Sequence, residues 1–209
     1  MEKRIALGWR FIDHAASFNQ LIFVGYPHTT RWDFALTQAI RLRTGRRLTT
    51  LVIESEFSGL QGSLLRALNC IPVPVKGGSE TVSKTIIQLA QFPDASVALC
   101  PEGRIEWSER WRTGYWVMSF VTGIPVCYVA FDYVRRCITM HEPVRMTGNT
   151  VDDLAYAESL FKETSGFRAE DAGRIAFPEG WVIDPVRCLR QRRLWEASGN
   201  PRRTIALSR

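Results

Sequence analysis

Strand-like and helix-like segments alternate along most of the chain, and this alternation limits the possible folds more than any other sequence feature. Short apolar or β-branched runs, typical of buried strands, are separated by stretches whose apolar residues have helical spacing. The predicted strands are 21–24, 48–53, 71–75, 96–99, 126–131 and 137–140, and the predicted helices are 32–42, 60–68, 79–92, 111–121 and 150–162. Such alternation favours a single α/β domain with three layers, in which helices flank a mixed, mainly parallel sheet.

The positive charge of the chain is concentrated at its C-terminal end. A length of 209 residues, of which 45% are apolar, fits one ordinary domain with a sizeable core. Residues 187–209 contain seven arginines and one acid, Glu196, and thereby carry the whole net charge of +6. Residues 1–186 are therefore charge neutral in sum, and we predict a domain over residues 21–186, a basic C-terminal extension over 187–209 and an amphipathic helical segment over 1–20.

The cysteine and histidine content limits redox and metal chemistry. The five cysteines are widely spaced, form no C-x-x-C pair and mostly adjoin aliphatic residues, which is typical of free thiols in a reducing compartment. The three histidines form no H-x-x-H pair, so no metal site is expected. Residues 1–14 contain no signal-length apolar stretch, and glycine and proline interrupt the run 113–131, which favours a buried helix and strand over a membrane span. We therefore expect a cytoplasmic protein.

A polar loop after the first predicted strand contains the histidine that is best placed for catalysis. His28 follows Pro27, and Asp33 stands five residues later, at the start of the next predicted helix. Two helical residues at this spacing point about 140° apart, so the pair can meet only if His28 lies in the loop. Asp33 would then fix one imidazole nitrogen and leave the other free as a general base. The alternative is that Asp33 merely caps the helix and His28 is an ordinary loop residue.

Several further motifs follow in a fixed order. They are Pro27-His28-Thr29-Thr30-Arg31-Trp32-Asp33, Asn69-Cys70-Ile71-Pro72-Val73, Cys100-Pro101-Glu102-Gly103, Trp111-x-x-Gly114, Gly123-Ile124-Pro125-Val126 and then Phe131-Asp132-Tyr133. This set, over residues 21–132, resembles the lysophospholipid acyltransferase family, whose pattern runs P-H-x-[ST]-x-x-D, G-x-I-P-V-x-R, P-E-G-T-R-S, W-x-x-G and G-[VI]-P-[IV]. The chain looks most like the compact bacterial members that lack an N-terminal membrane span.

The resemblance implies a glycerolipid acyltransferase-like fold and a specific reaction. A fatty acyl group would move from acyl-CoA or acyl carrier protein to the free hydroxyl of a lysophospholipid such as 1-acylglycerol-3-phosphate, with no cofactor beyond that donor. His28 would be the general base, Asp33 would orient it, and Glu102 and Gly103 would line the acceptor site. Transfer would be direct, without an acyl-enzyme, and the chain has no G-x-S-x-G motif. Backbone amides near the loop would stabilise the oxyanion.

The chain departs from the family pattern where the phosphate would bind. Arg104-Ile105-Glu106 stands where the family has Thr-Arg-Ser, and Val75 takes the arginine position after Ile-Pro-Val, with Lys76 next. Arg104 and Lys76 are the candidates for binding an anionic head group. The departures leave two alternatives open. One is acyl transfer to a different hydroxyl-bearing lipid, such as a lyso-ornithine lipid, and the other is a non-catalytic, lipid-binding accessory protein.

The two ends of the chain favour contact with an anionic membrane surface. Ile5, Trp9 and Ile12 share one helical face close to basic residues, which is typical of an interfacial helix, although a core-packing helix has the same pattern. The arginines of residues 187–209 would be attracted to an anionic leaflet. We therefore predict peripheral association with the inner face of the cell membrane. The same arginines fit nucleic-acid binding, but residues 1–186 are charge neutral and contain no nucleic-acid motif, so no nucleic-acid partner is expected.

Overall fold

An eight-stranded sheet forms the centre of the molecule, and the computed structural model describes residues 2–4, 8–75 and 78–199. The strands are β1 Glu2–Arg4, β2 Arg10–Asp13, β3 Ile22–Tyr26, β4 Arg47–Ile53, β5 Cys70–Val73, β6 Ala95–Leu99, β7 Val126–Asp132 and β8 Cys137–Met140. Their order across the sheet is β1-β2-β8-β7-β3-β6-β4-β5. Neighbouring strands are parallel except for the pairs β1–β2 and β7–β8, which are antiparallel. The predicted mixed, mainly parallel sheet is confirmed.

Helices cover both faces of this sheet. They are α1 Trp32–Thr44, α2 Gly59–Ala67, α3 Ser79–Gln91, α4 Gly114–Thr122, α5 Thr150–Phe161 and α6 Pro185–Ala197. Apolar residues of α3, α4, α5 and α6 form one core with Ile22 and Val24 of β3. Phe23 of the same strand points into a second core, which Ile40 of α1 closes. Because both faces are covered, all residues of β3 are buried, and the predicted three-layer α/β fold is confirmed.

The N-terminal segment forms strands where a helix was predicted. β2 pairs in parallel with β8, and β1 pairs antiparallel with β2, so the prediction of a helix over residues 1–20 is wrong for 2–4 and 10–13. The reason is that β8 would otherwise leave an unpaired edge of backbone groups. Phe11 fits this arrangement because its side chain is buried in the second core. Ile5 lies outside the described residues, whereas Trp9 and Ile12 are half-buried.

The C-terminal basic segment belongs to the domain as far as residue 199. Asp184 caps α6 by accepting a hydrogen bond from the Arg187 backbone amide, and the helix packs against α3 and α4. Trp195 and Gln191 are buried, because their four-residue spacing places them on one helical face, while Arg190 and Arg193 are exposed. The predicted separate extension over 187–209 is therefore wrong for residues 187–199. Residues 200–209 lie outside the described part of the chain.

Two other sequence predictions concern the cysteines and the long uncharged run. All five cysteines are free thiols, as predicted. The run 113–131 forms the buried helix α4 and the buried strand β7. Among the helices of the described residues, none has both the length and the apolar character needed to cross a membrane.

Candidate functional site

The carboxyl ends of three adjacent parallel strands bring the candidate site together. β3 lies between β6 and β7, and all three run in the same direction, so the segments that follow them meet at one edge of the sheet. The loop after β3 carries His28, the turn after β6 carries Glu102, and Tyr133 directly follows β7. Residues 100 positions apart in the sequence therefore share one site.

The carboxylate of Asp33 is the centre of this site and binds His28. Its Oδ2 atom accepts hydrogen bonds from His28 Nδ1 at 3.0 Å, from the Thr29 amide at 2.9 Å and from the Thr30 amide at 3.0 Å. Its Oδ1 atom accepts a hydrogen bond from the Tyr133 hydroxyl at 2.6 Å. The residue is only 1% exposed. The loop is therefore wrapped around the Asp33 carboxylate, which binds the imidazole ring at Nδ1. The structure brings His28 and Asp33 into contact, as the sequence predicted.

The His28 ring faces the cleft. Its side chain is 21% exposed and lines the cleft, and Cys100 lines the cleft beside it. Burial alone would lower the pKa of His28, but its interactions with Cys100 and Asp33 outweigh burial and raise the pKa well above 6.5. With Nδ1 held by Asp33, Nε2 is the ring nitrogen that remains for proton transfer.

The carboxylate of Glu102 binds the backbone of the same loop. Oε2 accepts a hydrogen bond from the His28 amide at 2.6 Å, and Oε1 accepts one from the Gly173 amide at 2.7 Å. The residue is 3% exposed, and burial raises its pKa to about 7, although both backbone hydrogen bonds and the nearby His28 oppose this shift. Glu102 was predicted to line the acceptor site. It does line the cleft, but one of its oxygens holds the His28 amide and the other holds the Gly173 amide.

Gly103 and Arg104 lie along the same cleft. Gly103 has a φ of +70°, and a Cβ atom there would collide with the Arg112 side chain, so this guanidinium packs directly over the glycine. Arg112 also donates from Nη1 to the Val75 carbonyl at 3.2 Å. Arg104 is exposed and lines the cleft, and Lys76 lies outside the described residues. Sequence reasoning missed Arg112, although it stands inside the Trp111-x-x-Gly114 motif.

A deep cleft connects these polar residues to the interior. Its volume is about 1360 Å³. Its lining combines apolar side chains, among them Leu48, Leu51, Leu65, Val82 and Met118, with the polar side chains of His28, Glu102, Arg104 and Arg112. The combination of apolar walls with a few charged groups fits an amphiphilic ligand.

The backbone amides of the loop have partners within the protein, contrary to prediction. The His28 amide donates to Glu102, and the amides of Thr29 and Thr30 donate to Asp33. The prediction that amides near the loop stabilise an oxyanion is therefore wrong for residues 28–30. The reason is that the two buried carboxylates need these donors themselves.

We predict that Glu102→Gln changes how the free energy of unfolding depends on pH. The folded-state pKa of about 7 lies above the ordinary value of 4.5, so between these values the folded state binds more protons than the unfolded state. The contribution of Glu102 to wild-type stability should therefore fall by roughly 2.5 kcal/mol as pH rises from about 5 to about 8. Denaturant unfolding at both pH values should show a decrease in stability that is smaller by this amount in Glu102→Gln than in the wild type.

The matched control for this prediction is Glu106→Gln, because Glu106 is an exposed glutamate four residues away. It should retain the wild-type pH dependence. If Glu102→Gln and the wild type gave parallel stability curves, the raised pKa of Glu102 would be contradicted.

Among the side chains that the structure describes, no three of His, Cys, Asp or Glu form a group that could hold a metal ion. Comparison of the chain with protein-family models, with curated proteins and with solved structures gave no match.

Proposed function

We propose that the protein is an O-acyltransferase that moves a fatty acyl group from acyl-CoA or acyl carrier protein to the free hydroxyl of a lysophospholipid, such as 1-acylglycerol-3-phosphate. The observation that carries this proposal is the position of the His28–Asp33 pair at a cleft of about 1360 Å³ that many apolar side chains line. An acyl chain needs such a cavity, and the attack of a hydroxyl on a thioester needs a general base.

In the proposed mechanism, transfer is direct. Nε2 of His28 takes the proton of the acceptor hydroxyl as the oxygen attacks the thioester carbonyl carbon. The new C–O bond forms, the C–S bond breaks, and the thiolate leaves with the proton that His28 received. Asp33 remains hydrogen-bonded to Nδ1 and stabilises the transient imidazolium. Because the acceptor oxygen attacks the thioester itself, no acyl-enzyme is required.

Arginines on the wall of the cleft support an anionic head group on the acceptor. Arg104 is exposed there, and Arg112 is held beside Gly103 close to the Glu102 turn. An arginine offers a fixed set of donors that matches a phosphate or a carboxylate. We propose Arg104 and Arg112 as the cations that bind this head group. A plain lysophosphatidate and another hydroxyl-bearing lipid, such as a lyso-ornithine lipid, both carry a group of this kind.

Exposed apolar residues at the cleft support peripheral association with a membrane surface. Leu64, Val75 and Trp107 line the cleft, and each is more than half exposed. Side chains of this kind, tryptophan above all, favour the boundary between water and lipid. We propose that the protein acts at the inner face of the cell membrane, where its lipid acceptor would be found.

The test of the proposed function is acceptor-dependent release of free thiol. Acyl-CoA donors of several chain lengths would be offered with lysophosphatidate, with a lyso-ornithine lipid or without an acceptor, and acyl carrier protein would be tested as a second carrier. Release that depends on an acceptor supports the transferase, and the preferred acceptor defines the head group. Absence of release with every donor and acceptor would contradict the enzyme and favour a lipid-binding accessory protein.

The raised pKa of His28 predicts the pH dependence of the reaction. A general base acts in its neutral form, so kcat/KM should rise with pH through the pKa of His28, which lies well above 6.5 because of Cys100 and Asp33. Initial rates from about pH 6 to about pH 9, corrected for spontaneous thioester hydrolysis, would give this profile. A plateau that is already complete below pH 6.5 would contradict the assignment of His28 as a base with these partners.

A further inference from the structure

The Tyr133 hydroxyl occupies the Asp33 oxygen that His28 does not use. It lies 2.6 Å from Oδ1, which is a short distance for a hydrogen bond between a hydroxyl and a carboxylate. Three donors converge on Oδ2, namely His28 Nδ1 and the amides of Thr29 and Thr30. Tyr133, the donor found on Oδ1, comes from outside the loop and helix of Asp33, unlike these three donors.

The position of Tyr133 is fixed by its neighbours. Its ring lies edge-on to Trp9, with ring centroids 5.0 Å apart, and makes a second such contact with Phe167 at 5.5 Å. Its backbone amide donates to the Ser165 carbonyl at 2.9 Å. The residue is therefore held between the N-terminal segment, the end of β7 and the segment around residue 165, and its hydroxyl has little freedom to leave Asp33.

We propose that Tyr133 is a positioning residue that sets both the orientation of the Asp33 carboxylate and the basicity of His28. This inference rests on the proposed function, in which His28 is the general base. A hydrogen-bond donor on Oδ1 stabilises the negative charge of the Asp33 carboxylate on the oxygen that does not bind His28. The electrostatic attraction between Asp33 and the protonated His28 ring is weaker as a result. The same bond keeps the carboxylate from turning about its Cβ–Cγ bond, which would break the contact with Nδ1.

The Tyr133 hydroxyl remains a donor over the whole neutral range. Burial, the hydrogen bond to Asp33 and the nearby Cys100 all raise its pKa far above its ordinary value of 10. The other groups that influence His28 are Asp33 and Cys100, which raise its pKa, and Glu102, which interacts with it electrostatically. Removal of the Tyr133 hydroxyl leaves all three of these groups in place.

The first experiment is an NMR titration of the histidine rings in the wild type and in Tyr133→Phe. The chain has three histidines, so the His28 signals can be assigned by their loss in His28→Ala. The proposal predicts that the His28 titration moves to higher pH in Tyr133→Phe, because Asp33 then holds the imidazolium more strongly. The matched control Tyr156→Phe, at a partly exposed tyrosine on α5, should not move it.

The second experiment measures acyl transfer by the same variants. In Tyr133→Phe, the rise of kcat/KM on the acid side of its pH profile should move to higher pH, together with the NMR titration of His28. The plateau rate should fall roughly 10-fold, less than the 10²-fold that a 1 Å misplacement of a catalytic group brings. Tyr156→Phe should match the wild type in both respects.

An unchanged His28 titration in Tyr133→Phe would overturn the proposal, whatever the effect on rate, because a purely structural tyrosine would lower the rate without moving the pKa. The titration does not depend on any reaction. A wild-type protein that transfers no acyl group would therefore contradict the proposed function alone, and the role of Tyr133 in setting the basicity of His28 would still be decided by NMR.

Discussion

In His28→Ala, acyl transfer is expected to fall by roughly 10³-fold, within the range of 10² to 10⁴ that general-base catalysis contributes. Since Asp33 binds Nδ1 of the His28 ring, Nε2 is the nitrogen left for the acceptor hydroxyl. The fold should persist, because the backbone amide of residue 28 keeps its hydrogen bond to Glu102. The amides of Thr29 and Thr30 likewise keep their hydrogen bonds to Asp33. The rate of acceptor-dependent thiol release and the thermal midpoint measure these two outcomes.

The matched control is His14→Ala, because His14 is exposed in the N-terminal segment outside the cleft. It should retain the wild-type rate. A His28→Ala variant that folds and keeps more than about a tenth of the wild-type rate would show that His28 is not the general base, since this loss would fall well short of 10²-fold.

In Asp33→Asn, acyl transfer is expected to fall by roughly 10³- to 10⁴-fold, the effect known for the same change in a catalytic triad. The amide side chain offers one acceptor oxygen and one NH₂ group, whereas the carboxylate accepts four hydrogen bonds. If the NH₂ group faces His28, it donates to Nδ1 and reverses the tautomer. If it faces Tyr133, the imidazolium still loses its counter-charge.

Asp33→Asn should also lower stability, because at least one buried donor loses its acceptor at roughly 1–3 kcal/mol. Asp94→Asn, at an exposed aspartate, is the control and should match the wild type in rate and thermal midpoint. An Asp33→Asn variant with nearly wild-type activity would show that Asp33 is only a helix cap, which is the alternative that the sequence left open.

Most elements of the domain could be predicted because they are buried on both sides or amphipathic. β3 and β7 are apolar runs, and both are long enough to be identified as buried strands from their composition. β2 was missed because it has only four residues, of which Phe11 alone is buried. α6 was missed because four of its 13 residues are arginines and only Gln191 and Trp195 are buried.

The candidate site divides in a similar way. His28 and Asp33 are five residues apart, so a local loop and helix suffice to predict their contact. Tyr133 and Gly173 could not be assigned contacts from the sequence, because their contacts with Asp33 and Glu102 require β3 to lie between β6 and β7. Strand order is a property of the whole sheet, and no local pattern specifies it.

The most direct measurement is mass spectrometry of the lipid product. The protein would be incubated with an isotope-labelled acyl-CoA and lysophosphatidate in vesicles, beside His28→Ala and His14→Ala. We predict that the label appears as an ester on the acceptor hydroxyl with the wild type and with His14→Ala, and is lost with His28→Ala. Label that remains on CoA or appears only as free fatty acid with the wild type, or equal product from His28→Ala, would contradict acyl transfer by the His28–Asp33 pair.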